Sequence, residues 1–218
     1  MNKMRTIRNI KIFYIVGVMN SIIFTLIIFF LFSTKRELDN IGLAKIDFGK
    51  RNLLYFLFSI IGGFFLFMMD KILLKIEKNL IKNPQNSKKE IFFYGYGFKN
   101  MLKIYSSFYF LVGLVFFSFW EELLFRGVAI YFLTKSVSFS KINSVIIVSI
   151  FFGIYHIFIS RASILPKFFG GLFLGFFFIY TKNLFFPFIS HLVWNVFIWK
   201  EWRKLYWMLL GKEGIYEK

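Results

Sequence analysis

Glu121, Glu122, Arg126, His156 and His191 are ionisable side chains set inside stretches that are otherwise apolar. The two histidines are the only ones in the chain. Of eleven acidic residues, only Glu121 and Glu122 lie well inside such a stretch, and Arg126 is the only basic residue so placed. If these stretches cross a bilayer, each group costs several kcal/mol there and should face a cavity or a partner. The spacing is regular. Glu122 and Arg126 are four residues apart, as are His191 and Asn195, and Phe152 and His156. Residues four apart share a helix face, so each segment presents one polar stripe.

These residue types fit the activation of a water. A carboxylate takes the proton and an imidazole orients the water or relays the proton. A second imidazole and a carboxamide donate to an oxyanion. The same side chains could instead hold a divalent metal, because two His and a Glu form a known catalytic zinc set. There is no Cys, no Gly-x-Ser-x-Gly and no His-Glu-x-x-His, so thiol, serine-elbow and soluble zinc-helix chemistry have no motif here. Each feature also has a plain structural reading. Glu122 and Arg126 read as an ion pair, a lone intramembrane His as an interhelical hydrogen bond, and Asn195 as helix glue. A shared site better accounts for both histidines lying in apolar segments alongside the only paired acids.

The elements that must position these groups are long and apolar. Residues 12–32, 52–69, 104–120, 142–155, 168–181 and 183–190 carry no charge, and the whole chain is 58% hydrophobic with 35 Phe in 218 residues. A helix crosses the hydrocarbon with roughly 20 apolar residues. The expected fold is therefore all-α, a polytopic membrane helix bundle with about six spans: 12–32, 52–70, 104–133, 142–159, 168–181 and 184–199. The segment 104–133 would be about 45 Å long as a helix, so it must tilt, kink or begin outside the core. Glu121 is 12 residues before the end of its helix and His156 is 14 after the start of the next, which places both at one level. Gly171 and Gly175, preceded by Gly170, read as a close helix-packing face.

Charge assigns the sides. With the N-terminus inside, segments 1–11, 71–103, 160–167 and 200–218 hold 19 Lys and Arg, against 8 in 33–51, 134–141 and at 182. That bias expects both termini in the cytoplasm and a plasma-membrane location. A net charge of +17 fits loops facing anionic lipid, and a nucleic-acid partner is not expected. The first apolar stretch is longer than a signal core and lacks a small-x-small site before Lys35, so it reads as a retained span. The chain divides into 1–103, N-terminal spans with a basic cytoplasmic loop containing a turn near Pro84; 104–199, the helical core; and 200–218, a basic interfacial tail.

Phe119-Trp120-Glu121-Glu122-Leu123-Leu124-Phe125-Arg126-Gly127 resembles the Glu-Glu-x-x-x-Arg motif of the CPBP family, the CAAX prenyl protease type II and bacteriocin-processing (Abi) membrane proteins. Phe152-Gly153-Ile154-Tyr155-His156 resembles its Phe-x-x-x-His motif, and His191-Leu192-Val193-Trp194-Asn195 its closing His-x-x-x-Asn motif. The resemblance covers about residues 104–199 and implies an intramembrane endopeptidase acting on a peptide or membrane protein. By position it implies Glu121 as general base and His156 as the water-orienting partner. His191 and Asn195 would then bind the oxyanion, with Glu122 and Arg126 in support. Such proteins are described both as metalloproteases and as metal-free, so a metal such as zinc stays open; Glu121, His156 and His191 would hold it. The size points to a bacterial branch linked to peptide processing or bacteriocin self-immunity. The alternatives are a non-catalytic scaffold of the same family and, from another class, a proton-coupled transporter.

Overall fold

A computed structural model describes residues 35–43, 49–80, 108–156 and 164–216. Among them every regular element is a helix: α1 (Lys35–Asn40), α2 (Lys50–Leu80), α3 (Phe108–Glu122), a π-helical segment (Leu123–Ala129), α4 (Ile130–Lys135), α5 (Lys141–Tyr155), α6 (Ile164–Thr181) and α7 (Phe185–Tyr216). The expected span 12–32, the turn near Pro84, residues 104–107 of the third span and 157–159 of the fourth lie outside the described residues.

The bundle is apolar outside and polar in places within. Leu53, Phe58, Ile61, Phe65, Ile72, Phe116, Phe151 and Tyr180 face outward, while Ser59, Ser118, Ser144, Ser149 and Ser190 are buried. That is the arrangement a bilayer requires: lipid accepts the apolar exterior, and interior polar groups find partners within the protein. Ser59 and Ser149 donate to the carbonyls of Tyr55 and Val145, one turn back, and Ser190 donates to the Ser59 carbonyl across the α2–α7 contact. Lys50–Leu73 and Ile164–Thr181 are each long and apolar enough to cross a membrane. The fold is an all-α membrane bundle.

Contacts set the directions. Phe56 stacks on Phe185, Phe67 on Phe197, and Lys71 pairs with Glu201, so α2 and α7 run parallel. Antiparallel α5 and α6 meet through small residues. A Cβ on Gly171 would lie 3.0 Å from the Ser149 Cβ, and one on Gly175 would lie 2.7 Å from Val145 Cγ1. Glycine at these positions lets the two backbones approach closely.

Three boundaries differ from expectation. Helix α7 continues to Tyr216, so the basic tail extends the last span; its 32 residues are about 48 Å long. Helix α2 likewise runs through Lys71–Leu80, where Leu, Ile, Lys and Glu favour helix and no Gly or Pro ends it. Helix α6 starts at Ile164, which places Lys167 inside the bundle and not in an inner loop.

Candidate active site

The long segment expected over 104–133 departs from α geometry where its charges begin. At Leu123–Ala129 the backbone takes π turns, each holding one more residue than an α turn. Leu123, Phe125, Arg126 and Gly127 are all buried within this short stretch. The Ile41 carbonyl packs against it, 3.0 Å from where a Cβ on Gly127 would lie. Glu122 and Arg126 stay on one face and pair, Arg126 Nη1 to Glu122 Oε1 at 2.8 Å, with both side chains fully enclosed.

Helix α7 brings His191 to the same oxygen. Its Nδ1 lies 2.7 Å from Glu122 Oε1. A carboxylate accepts, so the ring donates from Nδ1, and in the neutral ring Nε2 then carries the lone pair. That Nε2 lies 3.5 Å from Glu121 Oε2. Pro187 sits in the first turn of α7, where its missing N–H leaves no bond unmade.

Helix α5 ends at Tyr155, so His156 is its C-terminal cap and not a mid-span residue. The His156 Nδ1 is 2.8 Å from the Phe152 carbonyl. A carbonyl only accepts, so Nδ1 bears the proton and Nε2 is again the acceptor. His156 Nε2 lies 4.0 Å from Glu121 Oε1. Phe152 supports the group from below. Its ring meets those of His156 at 4.6 Å and His191 at 5.9 Å, and Arg126 Cζ lies 4.3 Å from its centroid. The Phe-x-x-x-His spacing thus places a carbonyl and an aromatic ring against one imidazole.

Asn195, one turn beyond His191, donates from Nδ2 to Ser118 Oγ at 3.0 Å. A carboxamide has two N–H bonds, so one remains for another acceptor. The structure therefore brings Glu121, Glu122, Arg126, His156 and His191 into one cluster, with Asn195 at its edge on α7. Glu121 is the most open of the two carboxylates, at 20% side-chain exposure against 0% for Glu122.

Sequence reasoning missed Ser118, Asp70, Lys167 and Trp194. Asp70 and Lys167 are buried, although Glu121, Glu122 and Arg126 had been expected to be the only carboxylates and cation deep in the bundle. Both flank charge-free runs, Asp70 as the last residue of the expected span 52–70 and Lys167 as the last of the expected inner segment 160–167. Pro166 was the available signal, because proline favours the first turn of a helix and puts Lys167 within it.

No group of three or more His, Asp or Glu side chains among the described residues is arranged to hold a metal ion. Glu121 turns one oxygen to each histidine separately. Both imidazole Nε2 atoms and the Glu121 carboxylate are thus acceptors that face one another.

Residues 90–197 match the family model of the type II CAAX prenyl endopeptidase Rce1-like proteins. No curated protein and no solved structure matches the chain.

Proposed function

Since the chain belongs, through residues 90–197, to the Rce1-like type II CAAX prenyl endopeptidase family, and with it to the intramembrane proteases, we propose that Glu121 and His156 activate a water which hydrolyses a peptide bond inside the bundle. The observation that carries this reading is the convergence of two imidazole Nε2 atoms on the two oxygens of one partly open carboxylate, at 4.0 and 3.5 Å.

Both Nε2 atoms act as acceptors because both Nδ1 positions donate elsewhere. A water beside Glu121 Oε1 and His156 Nε2 gives one O–H to each, which aims its lone pair away from them. The oxygen attacks the scissile carbonyl and its proton passes to Glu121. The remaining N–H of Asn195 supports the oxyanion. His191 accepts the proton from Glu121 at Nε2 and, as imidazolium held on Glu122, presents Nε2–H to the oxyanion or the leaving amine. The C–N bond breaks as the amine takes that proton. Glu122 and Arg126 act through His191.

The substrate is a peptide or membrane protein, and the role is peptide processing or bacteriocin self-immunity in a bacterial plasma membrane. Both termini are cytoplasmic, in keeping with the 19 to 8 charge bias. Membrane-peptide termini compared between cells making the native protein and cells making Glu121→Gln test the reading. Gln keeps the shape but takes no proton, so a defined set of new termini should vanish while the protein accumulates normally. Retention of those termini overturns the general-base role, and an unchanged set in cells lacking the protein points to the scaffold alternative.

A further inference from the structure

Lys167 on α6 is buried to 9% exposure, Asp70 on α2 to 7%, and between them stands the fully buried indole of Trp194 on α7. The Lys167 Nζ lies 3.6 Å from the Trp194 ring centroid. The outer rim of the ring packs against Gly170, where a Cβ would come within 2.5 Å of it, so the absence of a side chain there makes room for the indole. The cation–π contact holds the ammonium without using its N–H bonds. Among the described residues no hydrogen-bond acceptor meets those bonds, and Asp70 stands beyond ion-pair distance. The Trp194 N–H turns to the Asp70 carboxylate without closing to a short hydrogen bond, so the indole and Asp70 engage each other. A buried ammonium without a hydrogen-bond acceptor is rare in a folded protein and marks a place where an acceptor belongs.

The cluster adjoins the catalytic groups. Trp194 meets His191 with ring centroids 5.7 Å apart.

Resting on the protease reading, we propose that Lys167, seated on Trp194, is an anion subsite that binds a carboxylate of the peptide substrate close to the scissile bond. A carboxylate is the acceptor a peptide can supply, either at its C-terminus or on an Asp or Glu side chain, and an ammonium pairs with it strongly when both are out of water. Asp70 balances the lysine charge while no substrate is bound and competes weakly with it afterwards.

The test uses full-length Glu121→Gln protein in detergent micelles, which holds peptide without cutting it. The probes are three fluorescent lipidated peptides ending in Cys-aliphatic-aliphatic-X: one with a free C-terminal carboxylate, one with a C-terminal carboxamide, and one carboxamide with Glu next to the cut. Anisotropy should show the free carboxylate bound about tenfold or more tightly than the plain carboxamide. Adding Lys167→Met should abolish that preference, and Lys167→Arg should keep most of it. Asp70→Asn should leave the preference intact or enlarge it. If only the Glu-bearing peptide gains affinity through Lys167, the bound carboxylate is a side chain. Equal binding of all three, binding of none, or a preference that survives Lys167→Met overturns the subsite. A loss of thermal stability in Lys167→Met with no change in preference assigns Lys167 to packing alone. Turnover by the Glu121→Gln protein would instead break the protease mechanism, so the two failures are distinct.

Discussion

His191 Nδ1 and Arg126 Nη1 meet on a single oxygen, Glu122 Oε1, at 2.7 and 2.8 Å. One buried carboxylate therefore fixes both the proton position of the α7 histidine and the place of the only cation on the π segment. With Nδ1 committed, His191 turns Nε2 to Glu121. The second carboxylate of the Glu-Glu pair thus orients the ring that faces the first.

Arg126→Ala should lower the amount and thermal stability of folded protein. It leaves Glu122 enclosed without its cation, a loss of about 3–5 kcal/mol in comparable buried pairs. Melting curves in detergent measure this, and a melting temperature within a degree of the native protein would show that the pair contributes nothing.

His156→Ala should retain fold and lipidated-peptide binding while turnover falls by roughly 10²–10⁴. Its Nδ1 bond to the Phe152 carbonyl caps α5 locally and joins no other helix. Single-turnover kinetics on the purified protein decide the point, and turnover near the native rate removes His156 from the chemistry.

Asn195→Ala should lower kcat by roughly 10²–10³ with KM nearly unchanged, as for loss of one oxyanion donor. Ser118→Ala should cause a smaller fall of the same kind, because Ser118 only holds the carboxamide in place. A raised KM with normal kcat in Asn195→Ala moves this residue to the substrate groove.

On the water–glutamate mechanism exhaustive chelation should leave turnover unchanged, because Glu121 and His156 themselves hold and deprotonate the water. Metal content measured beside the kinetics checks it. Loss of activity that zinc restores, and that His191→Ala prevents, would falsify the water–glutamate mechanism.

Reporter fusions after residue 218 and within 134–141 should register on opposite sides of the membrane, the former cytoplasmic. The same side for both means the number of spans is wrong.

What the sequence determined by itself was local and compositional. Charge-free runs near 20 residues leave a chain no soluble way to bury its apolar side chains, so an all-helical membrane bundle followed directly. Spacing of four joined Glu122 to Arg126 and His191 to Asn195, because helix geometry is local. Gly171 and Gly175 marked a close helix contact for the same reason.

Only the tertiary structure decided what depends on several helices at once. The π turns at Leu123–Ala129 arise where one short stretch must bury Leu123, Phe125, Arg126 and Gly127 together. The tautomers of His156 and His191 follow from acceptors, one a backbone carbonyl and one a carboxylate 69 residues away. Asp70, Lys167 and Trp194 sit on three separate helices, and two of them border apolar runs where a charge ordinarily marks the membrane surface. Periodicity reports which face of a helix is polar. It does not report which other helix that face meets, and the chemistry here lies in those meetings.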